Sequence, residues 1–271
     1  MRLKDKVVVI TGAGAGLGRE CALLFAEQGA SLVATDIDDE RIAATEAAVS
    51  EKGGRIVALT ADVTSEADAR RTVAAAVEGY GKLDVMFCNA GIQVPGYPDV
   101  KFEDFTEEQW RRTLDVNVTG VFFGCKHAVP ALRANGGGSI VVTSSAVAYA
   151  SARRLAPYAT SKGAVNALVR SLAVDLGEYG IRVNAICPLH GMSTNFLSPA
   201  DAAVTGLSME EARGAWDPRK SGMPLKLDRP PTLRDNALAA LFLASDDSAY
   251  MSGQCIATTD GGVLGGLYLD Y

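Results

Sequence analysis

Seven short apolar runs set the frame: VVVIT (7–11), SLVATD (31–36), RIVALT (55–60), LDVMFC (83–88), SIVVTS (139–144), IRVNAI (181–186) and QCIATT (254–259). Most lack polar alternation, the pattern of strands covered on both faces. Between them, residues 17–28, 39–52, 65–79, 106–133, 158–178 and 231–245 read as helices. In the fifth, Ala164, Val165, Leu168, Leu172 and Leu176 recur at helical spacing. Strand and helix alternating throughout predict one doubly wound parallel sheet of about seven strands, flanked by helices. No repeat or linker divides residues 1–271, so a single domain is expected.

Composition narrows the function classes. Apolar residues make up 48% and charged residues 21% of the 271, as in soluble globular proteins. A net charge of −6 argues against a nucleic-acid or anionic-membrane surface. No window approaches the roughly 18 apolar residues of a spanning helix, and no secretory h-region is found, so a cytoplasmic chain is expected. The five cysteines are far apart, none in CxxC or beside a His, so neither a disulfide frame nor a metal site is expected.

The first strand runs into TGAGAGLG (11–18). Gly12, Gly16 and Gly18 permit a tight turn, close backbone approach to a pyrophosphate and tight helix–strand packing. Ala15 and Leu17 contribute backbone between them, and the helix N-terminus offers unpaired N–H groups to phosphate. Bare glycine spacing is a weak sign; its place at the first strand–helix turn makes it a strong one and the sheet Rossmann-like. Asp36 closes the second strand, where a carboxylate can accept both ribose hydroxyls and repel a 2′-phosphate. Ile37 follows rather than a cation, which favours NAD over NADP. Asp36, Asp38 and Asp39 also compete to cap the next helix. Asp62-Val63 and Asn89-Ala90-Gly91 close the third and fourth strands and point at the same crevice.

The chemistry-bearing residues cluster in SSAVAYASARRLAPYATSK (144–162). Pro157 suits a first helical turn, so Tyr158 and Lys162 fall at i and i+4 on one face. A phenol near pKa 10 is a poor base at neutral pH, and an adjacent ammonium with a cationic nicotinamide could lower it. Tyr149 with Arg153 is a decoy: it precedes Pro157, and a guanidinium cannot relay a proton. Strand alternation predicts that Ser144 and Ser145 face opposite ways.

Together, TGAGAGLG, DV at 62–63, NAG at 89–91, Asn117 in DVNVTG, the Ser–Tyr–Lys set and DGG at 260–262 resemble the short-chain dehydrogenase/reductase family, in its TGxxxGxG and YxxxK branch. The resemblance runs from about Lys4 to Gly262. It implies a nicotinamide-dependent oxidoreductase interconverting an alcohol and a ketone. It also implies that the catalytic Ser lies thirteen residues before the Tyr, which selects Ser145. Tyr158 would exchange the hydroxyl proton, Ser145 orient the substrate oxygen, Lys162 lower the Tyr158 pKa and hold the ribose, and Asn117 hold a relay water. A homotetramer, or a homodimer, is the implied assembly. Other chemistries on this fold (dehydratase, epimerase, enoyl reductase) and a non-catalytic NAD-binding sensor are the rival readings. The enoyl reductases usually differ in Tyr–Lys spacing.

One departure from the family pattern is CPLHGMSTNF (187–196), where Leu189 replaces the usual Gly after Pro188 and Gly191 follows two positions later. Either Ser193 or Thr194 would stand at the family's cofactor-binding Thr. Residues 189–230 have weak periodicity and no strand, and are expected to form a lid over the site, with a short helix around 208–215. Val147, Tyr149, Leu189, His190 and Met192, together with Ile92, Gln93 and Val94, are expected near the substrate. That lining is largely apolar and lacks an Arg or Lys clamp, so the expected substrate is a neutral secondary alcohol or ketone, fairly apolar: alicyclic, terpenoid, aromatic or steroid.

Overall fold

A computed structural model describes residues 1–97, 99–150, 153–191, 216–221 and 223–262. Seven strands form one sheet: β1 (Val7–Thr11), β2 (Ser31–Asp36), β3 (Arg55–Thr60), β4 (Val85–Cys88), β5 (Gly138–Thr143), β6 (Ile181–Pro188) and β7 (Cys255–Thr258). Their spatial order is β3-β2-β1-β4-β5-β6-β7, and every pairing is parallel. The chain winds outward from β1 to β3, then returns to place β4 on the other side of β1. That reversal opens a crevice at the carboxyl ends of β1 and β4.

Both sheet faces are buried, as the unbroken apolar runs required. Val8, Ile10, Leu32 and Ala34 pack with α1 (Gly16–Glu27), α2 (Asp39–Glu51) and α7 (Leu233–Ala244), through Phe25, Ile42 and Leu241 among others. The alternate residues Val7, Val9, Val33 and Met86 pack on the opposite face against α3 (Glu66–Tyr80), α5 (Gly120–Ala134) and α6 (Ala156–Leu176). Phe25, Leu32, Met86 and Leu132 are essentially inaccessible. Each such side chain contributes roughly 1.5–3 kcal/mol through burial.

Local signals set the helix ends. Asp38 caps α2 by accepting from Arg41 N, and Ser65 caps α3 by accepting from Asp68 N. Gly81, at φ 82°, closes α3 in the left-handed region. Thr106 and Gln109 form a reciprocal capping box on α4 (Glu107–Leu114). The run 106–133, expected as one regular helix, is α4 joined to α5 through a wider π turn at Asp115–Thr119. The expected lid lies largely outside the described residues, including Met192, Ser193, Thr194 and the short helix near 208–215. No helix among the described residues is long and apolar enough to cross a membrane.

Candidate active site

The crevice runs along the carboxyl edge of the sheet. Gly12, Ala15, Gly16 and Leu17 line it from the β1–α1 turn, and Asp36 and Ile37 from the end of β2. Asp62 and Val63 follow β3, and Asn89, Ala90 and Gly91 follow β4. Tyr158 and Lys162 line its other end from α6. Two arginines that sequence reasoning passed over, Arg41 and Arg112, also line it. Their helix faces could have been read from sequence, but neither sits in a motif.

The cradle at α1 is built for a ligand's phosphates. Gly12 adopts φ +66°, and a Cβ there would stand 2.8 Å from Ala90 Cα. A Cβ on Gly18 would collide with the Gly12 carbonyl oxygen, so the third glycine serves packing beneath the turn. No side chain caps α1, and its first turn holds no acid. Its N–H groups and the positive end of its dipole therefore face the crevice unopposed, unlike the capped α2, α3 and α4. A dinucleotide cofactor fits this donor set.

Asp36 is not the cap of α2, since Asp38 takes that role. Its Oδ2 accepts from Gly14 N at 2.9 Å and its Oδ1 from Asp38 N at 3.1 Å. These bonds fix the carboxylate at the crevice rim. Arg41 is paired with Asp38 at 3.2 Å.

At the opposite end the side chains interlock. Thr11 Oγ1 accepts from the N–H groups of Asn89 and Ala90, each at 3.1 Å. Asn89 Nδ2 donates to the Thr11 and Gly12 carbonyls at 3.1 and 3.2 Å, and its Oδ1 accepts from Thr143 Oγ1 at 3.0 Å. Lys162 Nζ donates to the Thr143 carbonyl at 2.8 Å. Ser145 Oγ accepts from Val147 N at 3.3 Å and lies close enough to Tyr158 to lower its pKa. The strand ends at Thr143, and Ser145 beyond it keeps an extended backbone. Both serines meet α6, Ser144 by donating to the Lys162 carbonyl oxygen at 3.3 Å.

Burial dominates the electrostatics. It pushes the Tyr158 phenol up to about 12; the Ser145 hydrogen bond offsets part of this, and the Cys187 thiol adds to it. Burial likewise pulls Lys162 down to about 8. Desolvation weakens the ammonium itself.

Asn117 lies in the π turn and is fully buried. Its Oδ1 accepts from Ile92 N at 2.8 Å, while Nδ2 donates to Ile92 O at 2.9 Å and Ser161 Oγ at 3.1 Å. The side chain is thus a clamp on the segment after β4. Of the expected substrate residues, Val147 packs with the Val94, Leu155 and Tyr158 cluster. Tyr149 is half-exposed and donates its hydroxyl to the Cys255 carbonyl on β7, a contact with no signal in the sequence. After Pro188, Leu189 N donates to Thr258 O at 3.2 Å and His190 N to Thr259 Oγ1 at 3.2 Å, fastening the start of the expected lid to β7. Gly191 adopts φ +63°, with the Thr232 backbone where a Cβ would lie.

A doubly wound sheet carrying a phosphate cradle at one end of its crevice and a buried Ser–Tyr–Lys set at the other defines a dinucleotide-dependent oxidoreductase. A family model described as enoyl-(acyl carrier protein) reductase matches residues 12–263. The short-chain dehydrogenase reductase 3a of Arabidopsis thaliana is 40% identical over 97% of this chain and 96% of its own. The mitochondrial borneol dehydrogenase of Lavandula x intermedia is 38% identical over 97% and 92%. A solved structure of 7α-hydroxysteroid dehydrogenase, complexed with NADH and 7-oxo glycochenodeoxycholic acid, superposes with TM-score 0.80 at 34% identity, covering 96% of this chain and 95% of that one. The chain belongs to the short-chain dehydrogenase/reductase family, and it is an oxidoreductase.

Proposed function

We propose that the protein interconverts a secondary alcohol and a ketone with NAD(H), on a neutral and largely apolar substrate. The observation that carries this reading is the buried Tyr158, one helical turn from Lys162 and close enough to Ser145 for that side chain to lower its pKa, at the far end of a crevice that begins at the uncapped α1. The nicotinamide, when bound, supplies the hydride acceptor or donor and a positive charge in its oxidised form. Asp36 would hold the adenosine ribose, its charge disfavouring a 2′-phosphate.

Ser145 orients the substrate oxygen beside Tyr158. With its phenol held up to about 12, Tyr158 is protonated at neutral pH, ready to donate a proton to a carbonyl oxygen during reduction. For oxidation the same group must accept the hydroxyl proton, so its burial penalty must be offset by nearby positive charge. Lys162, tied to the Thr143 carbonyl, is placed to supply part of that charge in its protonated form. The apolar wall of Val94, Leu155 and Val147 around Tyr158 supports an apolar substrate. A homo-oligomer is the proposed assembly, supported by an apolar groove between α5 and α6 where Phe122 is exposed beside Leu168.

Tyr158→Phe tests the reading. Turnover of cyclic secondary alcohols should fall at least a thousandfold, about 4 kcal/mol of barrier, while NADH binding by fluorescence titration persists. Unchanged turnover would reject the mechanism.

A further inference from the structure

Asn236, early in α7, is fully inaccessible to solvent, yet its amide reaches two other parts of the chain. Its Nδ2 donates to the carbonyl oxygens of His190 at 2.9 Å and Gly191 at 3.2 Å. Its Oδ1 accepts from Thr258 Oγ1 at 2.6 Å and lies 3.1 Å from Thr259 Oγ1. Thr259 Oγ1 in turn accepts from His190 N at 3.2 Å and lies 2.7 Å from the His190 carbonyl oxygen. One amide and one hydroxyl thus grip His190 at both of its backbone groups. Thr259 does so at φ 57°, a left-handed conformation that β-branched residues rarely adopt. Such strain persists only where the surroundings over-determine it, and it gathers at functional sites. Burying an amide inside a helix is likewise unfavourable unless its hydrogen bonds are met.

The gripped segment stands beside the reacting groups. Thr143 pairs with Ile186 in the β5–β6 ladder, and Ser144 N donates to Ile186 O at 2.8 Å. Ser145, still extended, is therefore level with Pro188, and residues 189–191 lie just past it at the carboxyl edge of the sheet. Cys187, immediately before Pro188, is near enough to raise the pKa of both Tyr158 and Lys162. We infer that Asn236, acting with Thr259, is a positioning residue: it fixes the backbone of His190 and Gly191 as a preformed wall for the nicotinamide half of the cofactor. This rests on the NAD(H) reading above. Neither residue lines the crevice itself, so each acts through His190 and Gly191. With the wall released, the competent arrangement is populated only part of the time, and the apparent dissociation constant rises by the inverse of that fraction.

NADH and ADP-ribose, which lacks the nicotinamide, separate this role from a general loss of stability. In Asn236→Leu the dissociation constant of NADH should rise about fivefold to twentyfold, while that of ADP-ribose stays within about twofold. Thr258→Val removes a hydrogen bond from the same cluster but leaves His190 and Gly191 held. Its melting temperature should fall, with both dissociation constants within about twofold of wild type. Thr259→Gly suits the left-handed backbone but frees His190 from the hydroxyl. It should weaken NADH about threefold or more and spare ADP-ribose, and it carries the test if Asn236→Leu does not fold. With a cyclic secondary alcohol, Asn236→Leu should raise KM for NAD+ by a larger factor than it lowers kcat. Equal weakening of both ligands, unchanged NADH binding, or an equal loss of NADH affinity in Thr258→Val overturns the inference. If wild type binds NADPH and not NADH, the NAD(H) reading fails, and NADPH against 2′-phospho-ADP-ribose makes the same comparison.

Discussion

Lys162 Nζ donates to the carbonyl oxygen of Thr143, 2.8 Å away, and so ties the catalytic helix α6 to the last residue of β5. The bond holds a buried amine that burial has pulled from its usual 10.5 to about 8. Between those values the unfolded chain still carries the proton that the folded chain has lost. Raising the pH through this window therefore favours the fold. Tyr158 acts in the opposite sense, but only above pH 10, where the unfolded phenol ionises and the folded one, held up to about 12, does not. From pH 8 to 10 the melting temperature of wild type should accordingly rise relative to that of Lys162→Met. Parallel curves over that range would mean that Lys162 keeps an ordinary pKa.

Asn117 uses both ends of its amide on one residue, Ile92, and that predicts a structural cost. Asn117→Ala leaves the Ile92 N–H and carbonyl without these partners, costing about 1–3 kcal/mol in thermal or urea unfolding. Turnover should fall as the segment carrying Gly91 and Ile92 loosens. Asn117→Asp buries a carboxylate and sets one of its oxygens against the Ile92 carbonyl oxygen, and should be at least as destabilised as the alanine variant. An alanine variant as stable as wild type would show that the clamp contributes nothing.

Asp36 bears on cofactor choice. Wild type should show a higher kcat/KM with NAD+ than with NADP+, and Asp36→Asn should raise the NADP+/NAD+ ratio at least tenfold by removing the charge. The variant also sets an amide N–H against one of the two backbone donors, Gly14 N or Asp38 N, so its melting temperature should drop. Equal or better use of NADP+ by wild type would remove the argument from Asp36.

The strands were legible because their runs are apolar without alternation, a pattern that suits only a sheet covered on both faces. Gly12, Asp36 and Asn89 were legible because each stands at or just past the end of a strand at the crevice edge, and Tyr158 and Lys162 because Pro157 sets the phase of α6. What stayed hidden depends on distance in sequence. The meeting of Asn117 with Ile92 spans 25 residues, and that of Tyr149 with Cys255 spans 106. Neither residue's neighbours encode its partner. Desolvation of Lys162 was equally invisible, since burial belongs to the packed fold.

The π turn at Asp115–Thr119 also governs how this helix could change. A π turn holds one residue more than an α turn, and each residue of an α-helix advances the azimuth by about 100°. Losing a single residue there would heal α4 and α5 into one regular rod while turning its two halves against each other. One of two loyalties would then have to yield: Asn117 to Ile92, or Gly120 to Val63, against which it sits too closely for a Cβ. A helix of impeccable regularity would be a broken active site, and the irregular one is the working form.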